Sequence, residues 1–434
     1  MRILSRNESR FCAATATLLG ASVAAMTAAH AGAFAVREQS AYYQGMSFAG
    51  SGTGDTLSSM YWNSAAAASV DGFNSESDVA VVIPDSEITA NGGAFRFLGR
   101  DSDQISDVTV IPTSYYNYQL DDRWYLGLAM NSSFGFKTKP DNVPWAGTPL
   151  ALTSDLFSVN VNPTIAYKLR PDLTVGVGVQ VEYLDVRLTR LPAPVPGDIG
   201  RRAELNDVGV GGTAGLNWTP LPGTSFGVGY RSQVDFELDG FLHNAFNNGI
   251  DNHARADLTL PDMVTVGFRQ ALSPRLDLLL GYEWTNWSML DTIPVRAQNS
   301  PTEFLRLEYD DGQFVSGGLE YDYTPATTLR IGLAWEKSPI SDHERNVLLP
   351  DADRIWLSVG GSYRYSEKVS FDIGYSHIFV DDAPICREAP VGGPCNTATR
   401  LDDLIRADAD TSIDIVSASY TYRWGVKQVL EPMK

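Results

Sequence analysis

The stretch from residue 173 to residue 183 reads LTVGVGVQVEY and decides the fold class. Its odd positions, from Leu173 to Tyr183, hold Leu, Val and Tyr, whereas the even positions hold Thr, Gly, Gln and Glu. Successive side chains of a β-strand point to opposite faces. The alternation therefore predicts a strand with one apolar face and one polar or very small face.

The same period of two recurs at residues 276–284, 329–335, 355–365 and 369–379. Alternation alone does not separate a soluble β-sandwich, whose apolar face lines a core, from a membrane barrel, whose apolar face meets lipid. The lengths of the connections do separate the two architectures, because membrane barrels alternate short turns with long loops.

Short and long connections alternate strictly along the chain. We predict tight turns at residues 121–122, 170–172, 219–223, 272–274, 324–326 and 366–368. Longer loops are predicted at residues 91–103, 138–155, 189–204, 239–256, 290–305, 339–353 and 381–410. These connections predict an all-β fold, a 14-stranded antiparallel transmembrane β-barrel over residues 76–424, with residues 425–434 as a periplasmic C-terminal extension.

Aromatic residues on the apolar face lie at both ends of the predicted strands. Near the short turns they are Trp124, Trp218, Tyr323, Tyr365 and Trp424, and at the opposite ends they are Tyr183, Trp284, Trp335 and Phe379. Aromatic side chains form girdles at the two membrane–water boundaries of such barrels. Their distribution favours the membrane architecture.

Residues 1–31 have the features of a cleaved secretory signal. Arg2, Arg6 and Arg10 precede an apolar stretch, and Ala29-His30-Ala31 places small residues at the two positions that precede cleavage. A retained N-terminal anchor is the alternative. Export together with a barrel predicts a location in the bacterial outer membrane.

Composition excludes two classes of protein. The 434 residues include 52 acidic and 33 basic side chains, so the net charge of −19 argues against a nucleic-acid binder. After residue 36 no uncharged apolar run is long enough to cross a bilayer as a helix. We expect no cofactor and no metal site.

Cys386 and Cys395 are the two cysteines that remain after removal of the signal, and they are nine residues apart in a stretch rich in Pro and Gly. An oxidising compartment favours a disulfide that closes this loop. A metal site is the rival interpretation, but two cysteines without a nearby histidine provide too few ligands.

Residues 32–75 lack alternation and contain four glycines between residues 45 and 54, followed by Tyr61, Trp62 and Asn63. The lumen of a 14-stranded barrel is wider than wall side chains can fill. We therefore predict that residues 32–75 form a hatch that plugs the barrel. A disordered periplasmic leader is the alternative, which the aromatic content of the segment disfavours.

Several motifs occur in the order found in one family. They are Gly32-Ala33-Phe34, Asn63-Ser64-Ala65, residues 229–232, 238–240, 258–262 and 284–288, and the stretch from Leu329 to Ser358. Over nearly the whole mature sequence the chain resembles the FadL/TodX outer-membrane transporters of hydrophobic compounds. The resemblance implies a 14-stranded barrel with an N-terminal hatch, which carries long-chain fatty acids or aromatic hydrocarbons through a side opening beside a kinked third strand.

The resemblance places the lateral opening at Ser132, Ser133 and Gly135, where Ser and Gly permit a bend in the strand. The alternative is an ordinary strand end. Candidate ligand-binding residues are Phe34, Phe134, Phe136, Trp145, Leu150, Arg330 and Arg354. The two arginines face the lumen by parity and suit a carboxylate head group. Pairing with inward Glu320, Asp322 and Glu336 is the alternative role for them.

We expect uptake of a hydrophobic small molecule, most of all a long-chain fatty acid. It adsorbs on apolar loop residues, enters a pocket between hatch and wall, and leaves sideways; the proposed adsorption residues are Val143, Trp145, Leu150 and Leu152, or Phe241, Leu242 and Phe246. The other partners are outer-membrane lipid and lipopolysaccharide, and the protein is expected to be a monomer.

The alternative functions are aromatic-hydrocarbon uptake, a non-selective porin, a hydrolase, and an adhesin or phage receptor. Without a Gly-x-Ser-x-Gly motif, and with three of its four mature histidines in predicted outer loops, the chain is not expected to be an enzyme.

Overall fold

A computed structural model describes residues 32–191, 200–244, 251–298, 301–388 and 403–424. The predicted signal, the predicted C-terminal extension, Phe246 and Cys395 lie outside these residues. Within the described residues, strand segments align end to end into fourteen antiparallel strands that close into a barrel.

Fourteen strands follow one another along the described residues, and an interrupted strand has two ranges. They are β1 (Phe73–Gly92), β2 (Asp101–Gln104 and Thr109–Gln119), β3 (Trp124–Asn131 and Gly135–Thr138), β4 (Thr153–Arg170), β5 (Leu173–Arg190), β6 (Arg201–Leu221), β7 (Thr224–Arg231 and Val234–Asn244), β8 (Asp251–Leu260 and Met263–Ser273), β9 (Leu276–Thr285 and Thr292–Ala297), β10 (Glu303–Arg306 and Gly312–Thr324), β11 (Thr327–Lys337), β12 (Arg354–Arg364), β13 (Val369–Val380 and Ala383–Glu388) and β14 (Asp403–Arg423).

Each strand pairs with its neighbours in sequence, and β1 pairs with β14 from Asn74 to Gly92 to close the ring. The strands continue into several predicted loops. The connection predicted as a loop at 239–256 is mostly a hairpin, in which β7 and β8 pair from Val234↔Leu260 to His243↔Asp251. This hairpin continues because its inward residues, such as Leu238 and Ala256, are buried.

The apolar faces of the membrane-facing strands point outward. Ile331 and Leu333 of β11 are 50% and 57% exposed, whereas Arg330 and Ala334 of the same strand are 6% and 3% exposed. Val177, Val179 and Val181 of β5 are likewise exposed. A soluble sandwich would bury these side chains, so the exposed fractions confirm the barrel prediction.

Residues 32–72, here called the inner segment, lie inside the barrel and are buried over nearly their whole length to residue 68. The segment contains one short α-helix, α1 (Ala41–Gln44), and three 3₁₀ turns at Ser51–Thr53, Leu57–Tyr61 and Ser64–Ala68. Two further 3₁₀ turns, Ala94–Leu98 and Trp287–Met289, belong to outer connections. The described residues contain no helix with the length and apolar character needed to cross a membrane.

Inward-facing glycines of the wall let the backbone of the inner segment approach closely. A β-carbon built on Gly229 would lie 1.7 Å from the carbonyl oxygen of Trp62, and one on Gly332 would lie 2.1 Å from the carbonyl carbon of Met46. Any larger side chain at these positions would overlap the inner segment. The very small inward face of the alternating strands is therefore the contact surface for residues 32–72.

We expect Gly229→Ala to displace the inner segment from the wall. Overpacking of this kind destabilises a protein by about 1–3 kcal/mol. The measurement is the urea midpoint of refolded protein in detergent micelles, followed by tryptophan fluorescence.

Gly317→Ala is the matched control for this prediction, because the nearest atom to its built β-carbon is the Leu280 Cδ2 at 3.6 Å, an ordinary contact. Equal urea midpoints for the two variants would contradict the close packing.

Candidate functional site: an apolar pocket beside a gap in the wall

The wall is incomplete between β2 and β3. The ladder between these strands ends at Ser114↔Met130 in the described residues, and the next part of β2, Thr109 to Thr113, pairs with β1 alone. β3 itself is interrupted at residues 132–134 before it resumes at Gly135 against β4. The break includes Ser132 and Ser133, and Gly135 begins the resumed part of the strand.

The inner segment supplies backbone partners at this break. The amide of Val36 donates to the carbonyl of Ser133 at 2.9 Å, and the amide of Gly135 donates to the carbonyl of Phe34 at 2.8 Å. Ala35 and Phe134 form an antiparallel β-bridge. Residues 34–36 thus act as a short strand that pairs with β3 from inside the barrel.

Gln39 connects the two edges of the gap. Its side-chain amide donates to the carbonyl of Ser132 on β3 at 2.6 Å. Its own carbonyl accepts hydrogen bonds from the Tyr115 hydroxyl at 3.0 Å and the Thr113 hydroxyl at 3.3 Å, both on β2. Sequence reasoning missed Gln39, since a single glutamine in a segment without periodicity carries no signal.

An aromatic cluster lies on the inner side of the break. The Phe34 ring centroid is 6.1 Å from that of Phe134, 5.8 Å from that of Phe136 and 4.6 Å from that of Trp287. Phe34 is 4% exposed. The structure brings these three candidate phenylalanines together and adds Trp287, which sequence reasoning had placed only within a family motif.

Apolar side chains from many strands and loops surround this cluster. They include Leu156, Leu184, Leu205, Phe236, Leu238, Leu258, Leu290, Leu307, Tyr309, Ile340 and Leu349. The aromatic cluster and these side chains together are called the apolar pocket below. Phe34 enters it from the N-terminal side, so a side chain of the inner segment fills its interior.

Arg231 lies between the apolar pocket and the inner segment. Its guanidinium donates to the Ser133 hydroxyl at 3.1 Å, to the Gln180 side-chain oxygen at 2.7 Å and to the Tyr61 carbonyl at 3.2 Å. It is 5% exposed and forms no ion pair among the described residues. The buried Glu182 carboxyl lines the same small space as the guanidinium, so Arg231 has an acidic neighbour in addition to its neutral partners.

Arg330 and Arg354 are paired with lumen carboxylates. The Arg330 Nε is 2.7 Å from the Glu320 Oε2, and the guanidinium lies 3.7 Å from the centroid of the Tyr42 ring. Arg354 pairs with Asp351 and lies 3.8 Å from the Glu336 Oε2. The ion-pair alternative describes both arginines, although Asp322 instead accepts a hydrogen bond from the Thr328 hydroxyl.

The expectation that Trp145 offers a surface for adsorption is wrong for this structure. Its loop folds back over the barrel, and Trp145 is fully buried in a separate cluster with Ile88, Ile105 and Ile405. Leu150 is partly buried against the same cluster. Neither residue touches the apolar pocket.

Other apolar side chains of the outer connections are exposed. Val143 and Phe241, two of the expected adsorption residues, are 43% and 56% exposed, whereas Leu242 is buried. Phe97 and Phe304 are 81% and 65% exposed and were not among the expected adsorption residues. The exposed apolar surface of the outer connections therefore includes some of the expected residues and others that were not expected.

Tyr61, Trp62 and Asn63 organise the middle of the inner segment. The Trp62 ring packs against Tyr61 at a centroid distance of 5.1 Å. The Asn63 side chain accepts from the amide of Ala65 at 3.0 Å and donates to the wall carbonyl of Leu216 at 3.1 Å. It thereby caps the following 3₁₀ turn and fastens it to β6.

Cys386 on β13 is disulfide-bonded. Cys395, its predicted partner, lies outside the described residues.

Comparison with known proteins identifies relatives along most of the chain. A family model described as outer membrane protein transport protein (OMPP1/FadL/TodX) matches residues 21–424. The chain is 26% identical over 329 residues to a long-chain fatty acid transport protein of Salmonella typhi, covering 68% of this chain and 75% of that protein. It is 27% identical over 303 residues to outer membrane protein P1 of Haemophilus influenzae, covering 62% and 65%.

Solved structures share the fold. A FadL homologue of Pseudomonas aeruginosa superimposes with a TM-score of 0.80 at 19% identity, covering 91% of this chain and 100% of that one. The toluene transporter TbuX of Ralstonia pickettii superimposes with a TM-score of 0.63 at 17% identity, covering 90% and 100%. At these identities the likeness establishes the architecture alone.

We expect Gln39→Ala to loosen the edges of the gap. The carbonyl of Ser132 would lose its partner inside the wall, and an unsatisfied buried group costs about 1–3 kcal/mol. Hydrogen–deuterium exchange of peptides covering residues 130–138 is the measurement, with an expected acceleration of about tenfold.

Gln44→Ala is the matched control, because Gln44 is equally buried and its side chain also donates to a carbonyl of the wall, that of Ile415. Ile415 lies on β14, where the wall is complete, since β14 pairs there with both β1 and β13. The proposed role of Gln39 would be refuted by unchanged exchange at residues 130–138 in Gln39→Ala, or by the same acceleration there in both variants.

Proposed function

The chain belongs to the OMPP1/FadL/TodX family of outer membrane transport proteins, and we propose that its substrates are long-chain fatty acids. It is an outer-membrane transporter of hydrophobic compounds by family, not an enzyme. The proposal concerns which compound is carried and by which route. The observation that carries it is the apolar pocket, which Phe34 fills beside a gap in the wall.

Capture in the apolar pocket is driven by burial of the hydrocarbon chain. Each methylene removed from water contributes about 0.8 kcal/mol. Leucine, isoleucine and aromatic side chains line the pocket, and the Phe34 ring at its centre is a removable apolar group on a chain end. The exposed Val143, Phe97, Phe241 and Phe304 supply apolar surface for first contact outside.

Arg231 favours a fatty acid over a hydrocarbon as the substrate. Its guanidinium lines a small space together with Phe134, Ala35 and the Glu182 carboxyl, and a substrate carboxylate would compete with Glu182 for it. A carboxylate there would replace the neutral partners Gln180 and Ser133 with a charge-assisted pair. The Salmonella relative is named a long-chain fatty acid transport protein, in line with this choice.

Release is proposed to run sideways through the gap between β2 and β3. Entry of the acyl chain displaces Phe34, and Phe34 and Val36 are bonded to the edges of the break in β3. Displacement of residues 34–36 therefore removes the groups that close the gap from inside. Ser132, Ser133 and Gly135 form its β3 edge in this proposal, and residues 32–72 act as the hatch. The predicted hatch, residues 32–75, is three residues too long, because Phe73 already begins β1.

The second candidate substrate class is an aromatic hydrocarbon. The aromatic cluster of Phe34, Phe134, Phe136 and Trp287 favours this class, because its rings suit a flat apolar ligand. The toluene transporter TbuX shares the fold. An aromatic hydrocarbon would make no use of Arg231.

The experiment measures uptake of labelled oleate, oleyl alcohol and toluene by cells that lack the gene and carry it on a plasmid. We expect the wild-type gene to restore oleate uptake and Arg231→Gln to lower it by about tenfold, since a hydrogen bond to a charged group is worth about 1.5–3 kcal/mol. Oleyl alcohol lacks the carboxylate charge, so cells with the wild-type gene and cells with Arg231→Gln should take it up equally well.

Arg330→Gln is the matched control, because Arg330 is a lumen arginine already paired with Glu320. Cells that carry this variant should take up oleate relative to oleyl alcohol as the wild-type cells do. Restoration of toluene uptake without oleate uptake would select the hydrocarbon. Restoration of neither would reject the proposal.

A further inference from the structure

A buried ionic cluster lies beside the first described residues of the chain. It consists of four carboxylates and two guanidiniums: Glu38, Glu283, Glu336, Asp351, Arg37 and Arg354, none of which is more than 7% exposed. The Arg37 guanidinium bridges the Glu283 carboxylate at 2.8 Å and the Glu336 carboxylate at 3.2 Å. Arg354 pairs with Asp351 on the opposite side.

The cluster has more acidic than basic groups. Burial raises the pKa of the Glu38 carboxyl to about 7, although its own backbone amide and the Arg37 guanidinium act in the opposite direction. Even with Glu38 protonated, three carboxylates face two guanidiniums. Arg345 also donates to the carbonyl of Asp351, but its charge is paired with Asp342. The other side-chain donors to these carboxylates are neutral: the Thr265 hydroxyl to Glu283, the Trp356 indole to Glu336 and the Ser338 hydroxyl to Asp351. Because an uncompensated buried charge is costly, these six residues are one cation short.

Gly32 and Ala33 border this cluster. The amide of Ala33 donates to the Asp351 Oδ2 at 2.9 Å. A β-carbon built on Gly32 would lie 2.7 Å from the Glu336 Oε1, so the backbone of Gly32 itself approaches that carboxylate. The start of the expected mature chain is thus placed between two buried acids.

We infer that the α-ammonium group of Gly32, created when residues 1–31 are removed, is the missing cation and pairs with Glu336 and Asp351. The inference rests on the expected cleavage after Ala31 and is independent of the substrate. An α-amino group has a pKa of about 7.7–8.0 and is protonated at neutral pH. Its charge makes the cluster neutral when Glu38 is protonated.

Phe34 lies two residues after the new terminus, so an ion pair at the terminus also affects its position. An ion pair at Gly32 fixes the chain end and thereby holds Phe34 in the apolar pocket. Removal of the signal then does more than release the protein, because it creates the charge that seats the inner segment. A chain with residues still attached before Gly32 would carry an uncharged amide at this position.

The experiment measures the reactivity of the N-terminal amine of the mature, folded protein in detergent. Mass spectrometry first identifies the terminus, and an acetyl N-hydroxysuccinimide ester at pH 7 then modifies it. We expect the Gly32 amine to react about tenfold more slowly in the native protein than in urea, since an ion pair and burial disfavour the neutral nucleophile. Glu336→Gln and, as a second variant, Asp351→Asn should each restore much of the reactivity.

Glu320→Gln is the matched control, because Glu320 is a buried, arginine-paired carboxylate whose partners are Arg330 and Arg269 instead of Gly32. It should leave the rate unchanged. A mature terminus other than Gly32, equal rates in native and unfolded protein, or the same acceleration in the control would each overturn the inference. Uptake plays no part in this assay, so its failure would leave the proposed transport function standing.

Discussion

Backbone hydrogen bonding at the break in β3 is the constraint on which the rest of the structure depends. Lipid offers no partners for peptide groups, so a wall that spans the outer membrane tolerates a broken strand only where other protein groups satisfy it. Here residues 34–36 and the Gln39 side chain provide those groups from inside the barrel. The gap and the inner segment are therefore one unit, and moving the segment changes the state of the wall.

The wall is adapted to hold the inner segment through polar contacts while it presents hydrocarbon to the membrane. Glu76 and Asp78 on the inward face of β1 accept from the amides of Leu57 and Ala41, each at 2.9 Å or less, where a helical turn begins. These amides have no partner within their own helical turns. The same segment also packs apolar side chains such as Met46, Phe48 and Trp62 into a hydrophobic core with wall residues such as Leu279 and Trp356. Polar and apolar contacts together fix the inner segment in the barrel.

Much of the architecture follows from the sequence because a barrel wall obeys one simple rule. The period of two that exposes Val177 and Ile331 also buries Gln180 and Arg330, and proline-containing turns such as the one at Pro171 separate the strands. The rule fails where the chain leaves the wall. Trp145 is buried because its loop folds inward, and the pairing of Arg330 with Glu320 depends on which strands are neighbours. Gln39 gave no signal, since its role arises from two strand edges that approach it from distant parts of the chain.

The claim that residues 34–36 must leave β3 for transport is tested most directly by a reversible cross-link. Ala35 and Phe134 form an antiparallel bridge, and directly opposed residues of this kind have Cα separations that suit a disulfide. A double variant, Ala35→Cys with Phe134→Cys, should lose oleate uptake when oxidised and regain it in reductant. Wild-type cells in the same reductant control for the Cys386 disulfide. Full oleate uptake by the oxidised, cross-linked protein would contradict the account.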